Sequence, residues 1–372
     1  MKLTYKPFSQ LLFIAIGILQ LFSSCNKDLP VATPINPETP SGNSILETLN
    51  DPSYSILKAA VARAATFSSP TGNISTLLGD KTAIVTFFAL DDAAFIASGI
   101  PSTAAIGTLR PGFLDTVLKY HLVGGQKFTA STVPTNSFPN SLYLQSMLLL
   151  AAPSASLPPG LRMPIFLGKA GTSLFANNIP VTQADIAVAN GIIHKVAGLV
   201  TPPSTTLKGL IAADATNFSL LSAAITRADS GQVGLGKLDS VLNYAPANLT
   251  LFAPTNTAFR ALFPPGTPDA TIIGALNTPS LFPAQTVRGI VAYHLLGSRA
   301  FSVNMPSTPT PINTQLVIPG PTPVTVPVVI VNAGGTFTVK GVANATASNV
   351  TTANKNAING VMHVIDQVLR PQ

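Results

Sequence analysis

Thr250-Leu251-Phe252-Ala253-Pro254-Thr255-Asn256-Thr257-Ala258-Phe259 reads as a buried strand, a sharp turn and then the start of a helix. Nearly the same run stands 164 residues earlier, as Thr86-Phe87-Phe88-Ala89-Leu90-Asp91-Asp92-Ala93-Ala94-Phe95. Asp92 and Asn256 share one physical property, a side-chain oxygen that accepts backbone N–H groups, so both are expected to be helix N-caps. Phe95 and Phe259 then fall in the first helical turn and face the core. A run that returns at this spacing directs attention to further self-similarity.

Two more blocks recur in the same order. Leu114-Asp115-Thr116-Val117-Leu118-Lys119-Tyr120-His121-Leu122 is matched by Val287-Arg288-Gly289-Ile290-Val291-Ala292-Tyr293-His294-Leu295. Leu114, Val117, Leu118 and His121 share one helical face, and Val287, Ile290, Val291 and His294 do the same. Asn190-Gly191-Ile192-Ile193-His194-Lys195-Val196 is matched by Asn359-Gly360-Val361-Met362-His363-Val364-Ile365, 169 residues on. Asn-Gly between apolar stretches signals a hairpin with a type I′ turn, which needs positive φ at both positions. The strand after it is expected to alternate, with His194 beside Ile192 and Val196, and His363 beside Val361 and Ile365. The chain has 4 histidines and all of them lie in these blocks at matching places. A duplicated domain explains that economically.

The three blocks together resemble the fasciclin domain: the Thr-Leu-Phe-Ala-Pro-Thr-Asn-Thr-Ala-Phe run, the Tyr-His pair ending a helix, and the closing Asn-Gly-Val-Met-His-Val-Ile-Asp-Gln-Val-Leu run are that family's hallmarks. The second copy follows the pattern closely. The first departs from it with Leu90 in place of the proline and Ala197 where the second has Asp366. The resemblance covers roughly residues 44 to 372 and implies an α+β fold: two tandem fasciclin-like domains, each a twisted, mostly antiparallel β-sheet core flanked by short α-helices. The expected bounds are 44–202 and 203–372, with the boundary near Thr201-Pro202-Pro203-Ser204-Thr205. So short a linker implies domains that touch or keep a restricted angle. Proline-rich stretches, Pro134 to Pro164 and Pro306 to Pro327, stand between the Tyr-His and Asn-Gly blocks. They read as variable loops and edge hairpins where binding specificity could live.

The N-terminus carries a different message. Lys2 and Lys6 precede an apolar run of about 12 residues, Leu11 to Phe22, and then Ser23-Ser24-Cys25. A positive start, a short apolar core and small residues describe a secretory signal over residues 1–24. The run falls well short of the ~20 residues that cross a bilayer as a helix. Cys25 is the only cysteine, so no intramolecular disulfide forms. Its setting resembles the lipobox of bacterial lipoproteins, with Phe22 where leucine is usual, which implies lipid attachment at Cys25. Residues 25–43 read as a proline-rich tether that holds the first domain off the membrane. Asn26-Lys27-Asp28 also resembles the surface-export signal of Bacteroidetes lipoproteins. These features place the chain at the outer membrane or surface of a Gram-negative bacterium.

Composition narrows the function. Hydrophobic residues make up 46% and charged residues 9%, a globular rather than disordered balance. The net charge of +7 falls to about +5 once Lys2 and Lys6 are removed, and no dense Lys/Arg run accompanies it, so no nucleic-acid partner is expected. No Gly-x-Ser-x-Gly elbow, phosphate loop or His-Glu-x-x-His is present, and adjacent Asp91-Asp92 is matched by Thr255-Asn256, which only a cap explains. No catalytic residue, cofactor or metal is therefore expected. The histidines suit buried, hydrogen-bonded imidazoles better than a zinc site, which wants three or four ligands. For Tyr120, His121, Tyr293 and His294, core packing is weighed against the receptor contacts that the resemblance links to the Tyr-His region. Asn-x-Ser/Thr triplets at Asn73, Asn217, Asn248, Asn344 and Asn349 read as coincidental. The resemblance implies a non-enzymatic, surface-anchored adhesion or binding protein for extracellular matrix, a cell-surface protein or a glycan. The alternative is a small-molecule or carbohydrate carrier accessory to a nutrient-uptake complex.

Overall fold

In a computed structural model, residues 40–135, 138, 142–150 and 160–372 are described. The signal segment, Cys25 and the tether as far as Thr39 lie outside the described residues, so nothing structural bears on lipid attachment. Among the described residues no helix is long and apolar enough to cross a membrane.

The first repeat begins with helices α1 (Ile45–Thr48), α2 (Ser55–Ala64) and α3 (Ile74–Gly79), then strand β1 (Val85–Leu90). Helices α4 (Asp92–Ala97), α5 (Thr103–Thr108) and α6 (Pro111–Tyr120) follow, and then six strands: β2 (Leu122–Gly124), β3 (Tyr143–Leu149), β4 (Arg162–Ala170), β5 (Ser173–Ala176), β6 (Ile179–Val188) and β7 (Gly191–Val196). The second repeat runs the same course. It opens with α7 (Leu207–Ala213), α8 (Ala215–Ala228), α9 (Leu238–Asn243), β8 (Leu249–Pro254), α10 (Asn256–Arg260), α11 (Asp269–Leu276) and α12 (Ala284–Tyr293). It ends with β9 (Leu295–Leu296), β10 (Thr310–Ile318), β11 (Val324–Ala333), β12 (Thr336–Lys340), β13 (Ser348–Ala357) and β14 (Gly360–Ile365).

Each repeat builds a seven-stranded sheet, in the orders β2-β1-β7-β6-β5-β4-β3 and β9-β8-β14-β13-β12-β11-β10. The two orders are the same. All neighbours pair antiparallel except β1 with β7 and β8 with β14, which run parallel. The parallel pair explains a departure from the sequence expectation. Strands β7 and β14 do not alternate between core and solvent: β14 is buried at every residue and β7 at all but Lys195. A parallel pair needs a long crossover, and here helices and hairpins cover both faces, so the strand is buried on both sides. Their partners β1 and β8 are likewise buried at every residue.

The hairpins into β7 and β14 form, but not through a type I′ turn. Val188 pairs with Gly191 and Ala357 with Gly360, which leaves Ala189-Asn190 and Ile358-Asn359 as the loops. Neither asparagine nor either glycine has positive φ. The glycines are there for space. A side-chain carbon on Gly191 would collide with the Val85 carbonyl, and one on Gly360 with the Leu249 carbonyl.

The core of the first repeat gathers Leu57 and Val61 of α2, Phe87 of β1, Phe95 of α4, Leu118 of α6 and Ile193 of β7. Full burial of side chains of this size contributes about 1.5–3 kcal/mol each. In the second repeat one cluster lies on the helical side of the sheet, with Leu221, Leu251 and Met362, and another on the opposite side, with Phe252, Tyr293 and Ile365. The edge hairpin β10–β11 and its turn carry five prolines of the Pro306 to Pro327 stretch, a placement that protects an open sheet edge from further pairing.

Candidate functional site

Asp92 and Asn256 do not cap their own helices. Asp91 and Thr255 do so, accepting from Ala94 N–H at 2.9 Å and Ala258 N–H at 3.2 Å. The next residue points the other way, into the neighbouring helix. Asp92 accepts from Ile56 N–H at 2.8 Å and from the Ser55 hydroxyl at 2.6 Å, and so caps α2. Asn256 accepts from Leu220 N–H at 3.0 Å and donates to Thr216 C=O at 3.0 Å, so it bridges a donor and an acceptor one turn apart near the start of α8. The reason for the correction is geometric: the residue entering the helix caps it, and the one after it already belongs to the first turn.

The Tyr-His pairs are interior groups, so the receptor-contact reading gives way to core packing. His121 is fully buried. Its Nδ1 lies 2.8 Å from Val117 C=O, and its Nε2 accepts from Val200 N–H at 3.1 Å. His294 repeats this with Ile290 C=O at 2.8 Å and Leu369 N–H at 2.9 Å. Each ring therefore holds its proton on Nδ1 and ties the end of its repeat to the helix. Burial pushes both imidazoles down to about 4, so they are neutral. Tyr120 donates to Pro164 C=O at 3.0 Å and accepts from Asn177 Nδ2 at 3.1 Å. Tyr293 donates to Pro327 C=O at 2.7 Å and accepts from Val342 N–H at 3.0 Å. A tyrosine without exposed surface or a spare hydrogen bond has nothing to offer a partner.

His194 and His363 are interior as well. His194 donates from Nε2 to Phe128 C=O at 2.9 Å, accepts at Nδ1 from Asp185 N–H at 3.2 Å, and stacks on Phe88. His363 makes the matching bonds to Ala300 C=O at 2.9 Å and from Asn354 N–H at 3.3 Å, and stacks on Phe252. Burial lowers both pKa values, that of His363 to about 4. Asn190 and Asn359 act as buried clasps. Asn190 accepts from Ile45 N–H at 2.8 Å and donates to Leu78 C=O at 3.0 Å, while Asn359 accepts from Leu207 N–H at 2.8 Å and donates to Leu242 C=O at 2.8 Å. Each thus joins the first helix of its repeat to the last hairpin. Among the described residues, no group of three or more His, Cys, Asp or Glu is placed to hold a metal.

Residues that the sequence reading passed over hold the two repeats together. The Arg299 side chain, from the second repeat, is 2% exposed and has no carboxylate among its hydrogen-bond partners. Its guanidinium donates to Asn248 Oδ1 at 3.0 Å, Asn356 Oδ1 at 2.7 Å, Ala357 C=O at 3.0 Å and Ile358 C=O at 2.9 Å. Its other face covers the Phe166 ring of the first repeat at 4.6 Å. Burial lowers its pKa to about 10, which still leaves it charged at neutral pH. Phe166 packs on Phe301 and Val361 in a small core shared by both repeats. Gly168 supplies the space in which the Asn304 side chain approaches β4. The position that matches Arg299 in the first repeat is Lys127, just before the carbonyl that accepts the histidine proton, and it is exposed. An aligned arginine and lysine of different fates was the one available signal.

The same topology built twice on the same three blocks agrees with comparison to known families. The fasciclin domain family matches residues 60–202 and again residues 227–371. The chain belongs to the fasciclin domain family. Among solved structures, the FAS1 domain pair of the insect cell adhesion molecule fasciclin I is similar at 16% identity and a TM-score of 0.34, covering 85% of this chain and 97% of that one. No curated protein matches the chain. Fasciclin domains are generally adhesion-related and non-catalytic.

Beyond the motif residues, which serve the scaffold, the described residues form clefts between elements. One of about 350 Å³ lies at the junction of the two fasciclin repeats. Asn177, Asn178, Asn354, Asn356, Thr201 and Ser204 bring amides and hydroxyls to it, and no charged side chain lines it. A second, of about 490 Å³, lies between Ala170-Gly171 of the first repeat and Ser302 to Thr308 of the second. Of the triplets with a glycosylation pattern, Asn73 caps α3 and Asn344 is buried with its amide on Val368 C=O at 2.9 Å. Both have structural work that explains the residue.

Proposed function

We propose that the chain is a non-enzymatic adhesion or binding protein, anchored at the cell surface through lipid on Cys25, that recognises an extracellular protein or glycan. The observation that carries this reading is the fasciclin match over both repeats. The junction supports it further: Arg299 and the shared core around Phe166 set the repeats as one surface rather than two independent beads. Such a surface presents both repeats' loops to a partner at a restricted angle, which lowers the entropy lost on binding. Matrix protein, cell-surface protein and glycan are the partner classes, and the lipid anchor supplies membrane association.

A second reading, a carbohydrate carrier accessory to a nutrient-uptake complex, is favoured by the uncharged amide and hydroxyl lining of the junction cleft. A matrix-protein and glycan array probed with the purified chain separates the two. Binding to a matrix protein or an extended glycan supports adhesion, whereas binding confined to free mono- or disaccharides supports the carrier. A Cys25→Ala strain tests the anchor. Surface display and attachment are expected to be lost together, and attachment that persists without display would overturn the adhesion reading.

A further inference from the structure

The second repeat holds an apolar cleft at the border of its helical core. It has a volume of about 160 Å³ and lies among α8, α10, α11 and α12, with Leu221, Phe259, Leu262, Phe263, Phe282 and Ile290 in its walls. Phe263 and Phe282 face each other across 6.3 Å at an interplanar angle of 47°. Leu262 is 50% exposed, so the cleft reaches solvent along an apolar side chain. The single polar side chain in the lining is His294, and both its ring nitrogens are already bonded, to Ile290 C=O and Leu369 N–H. A guest therefore meets almost only carbon and finds no free side-chain donor or acceptor in the lining.

The two repeats differ at this place. The first-repeat counterparts of Leu262 and Val368 are Ser98 and Leu199, and there Leu199 N–H donates to Ser98 Oγ at 2.8 Å while Ser98 donates to Ala94 C=O at 2.7 Å. That pair of bonds ties the end of the repeat to helix α4. In the second repeat Leu262 stands in place of the serine and has no hydroxyl to accept such a bond, and both Leu262 and Val368 line the cleft.

We propose that this cleft binds one small, uncharged aromatic molecule. The volume suits a single ring, since an apolar protein cavity of about 150 Å³ stays dry and takes up benzene. The Phe263–Phe282 wall favours a ring over a chain through edge and offset contacts. A charged or strongly polar guest would lose its hydration with nothing in return. This site is independent of the adhesion surface, so its failure would leave that reading intact.

The test uses toluene as the probe on the purified chain. A saturable rise in melting temperature is expected with toluene, and none with benzoate. Ala224→Leu places a larger side chain into the lining at a position 2% exposed and should abolish the effect. Leu262→Ser, which installs the first repeat's residue at the exposed mouth, should weaken toluene binding about tenfold while leaving the fold intact. No saturable shift in the native protein would overturn the proposal, as would an equal shift with benzoate. So would toluene affinity unchanged in Leu262→Ser, which keeps the test decisive if Ala224→Leu does not fold.

Discussion

The guanidinium of Arg299 lies 4.6 Å from the centre of the Phe166 ring, so the second repeat lays a buried cation on an aromatic face of the first. The cation is neutralised by no acid; carbonyl and amide oxygens solvate it instead. A group held this way is hard to replace, because its removal withdraws a charged donor from four oxygens at once. Arg299→Lys should lower stability by about 2–4 kcal/mol, since an ammonium cannot reach the same fork of acceptors. Calorimetry measures the loss, and small-angle scattering should show a longer maximum dimension as the repeats part. A variant with unchanged melting and scattering would show that Arg299 does not set the junction.

Stability should fall as the solution is acidified below neutral. His121, His294 and His363 are held near 4, against about 6.5 in an unfolded chain. Between those values the unfolded state binds protons that the folded state refuses. Their contribution is therefore complete above pH 6.5 and is lost progressively towards pH 4, at about 1.4 kcal/mol per pH unit for each histidine. Denaturant midpoints at pH 7.5 and pH 4.5 measure it. A midpoint that does not move would mean that the rings are not buried neutral.

Asp92 and Asn256 occupy one structural position but should not exchange freely. Asp92→Asn keeps the acceptor for Ile56 N–H and can donate to the Ser55 hydroxyl, so its cost should stay within about 0.5 kcal/mol. Asn256→Asp turns a carboxylate towards Thr216 C=O, which now receives the amide donor, and should cost about 1–3 kcal/mol. Equal urea midpoints for the two variants would contradict the bridging role of Asn256 in α8.

Two glycines should respond oppositely to the same change. Gly191→Ala forces a methyl group against the Val85 carbonyl in the parallel pair and should destabilise by more than about 3 kcal/mol or prevent folding. Gly107→Ala, in α5 with open space around it and an ordinary φ, should stabilise by up to about 1 kcal/mol. Thermal melts of the two proteins check the pair. A neutral Gly191→Ala would mean that the strands can separate at no cost.

The sequence by itself determined the duplication, the family and the α+β architecture. The reason is that these rest on local and repeated constraints: an apolar strand before a cap, an apolar helical stripe that ends in Tyr-His, and an Asn-Gly at a hairpin. It also showed which faces of Phe95, Phe259 and the histidine stripes turn inward, because periodicity encodes a face. It did not decide what each polar side chain does once inside. Asp92 and Asn256 look like caps along the chain, yet they serve a helix more than thirty residues away, as their bonds to Ile56 and Leu220 show. Gly191 and Gly360 look like turn residues, yet they yield space to a strand that precedes them by over a hundred positions. Arg299 and Lys127 stand at one position of the repeat, and only the packing of the second repeat on the first buries one cation and leaves the other in water. Those outcomes belong to long-range contact, which no local pattern carries.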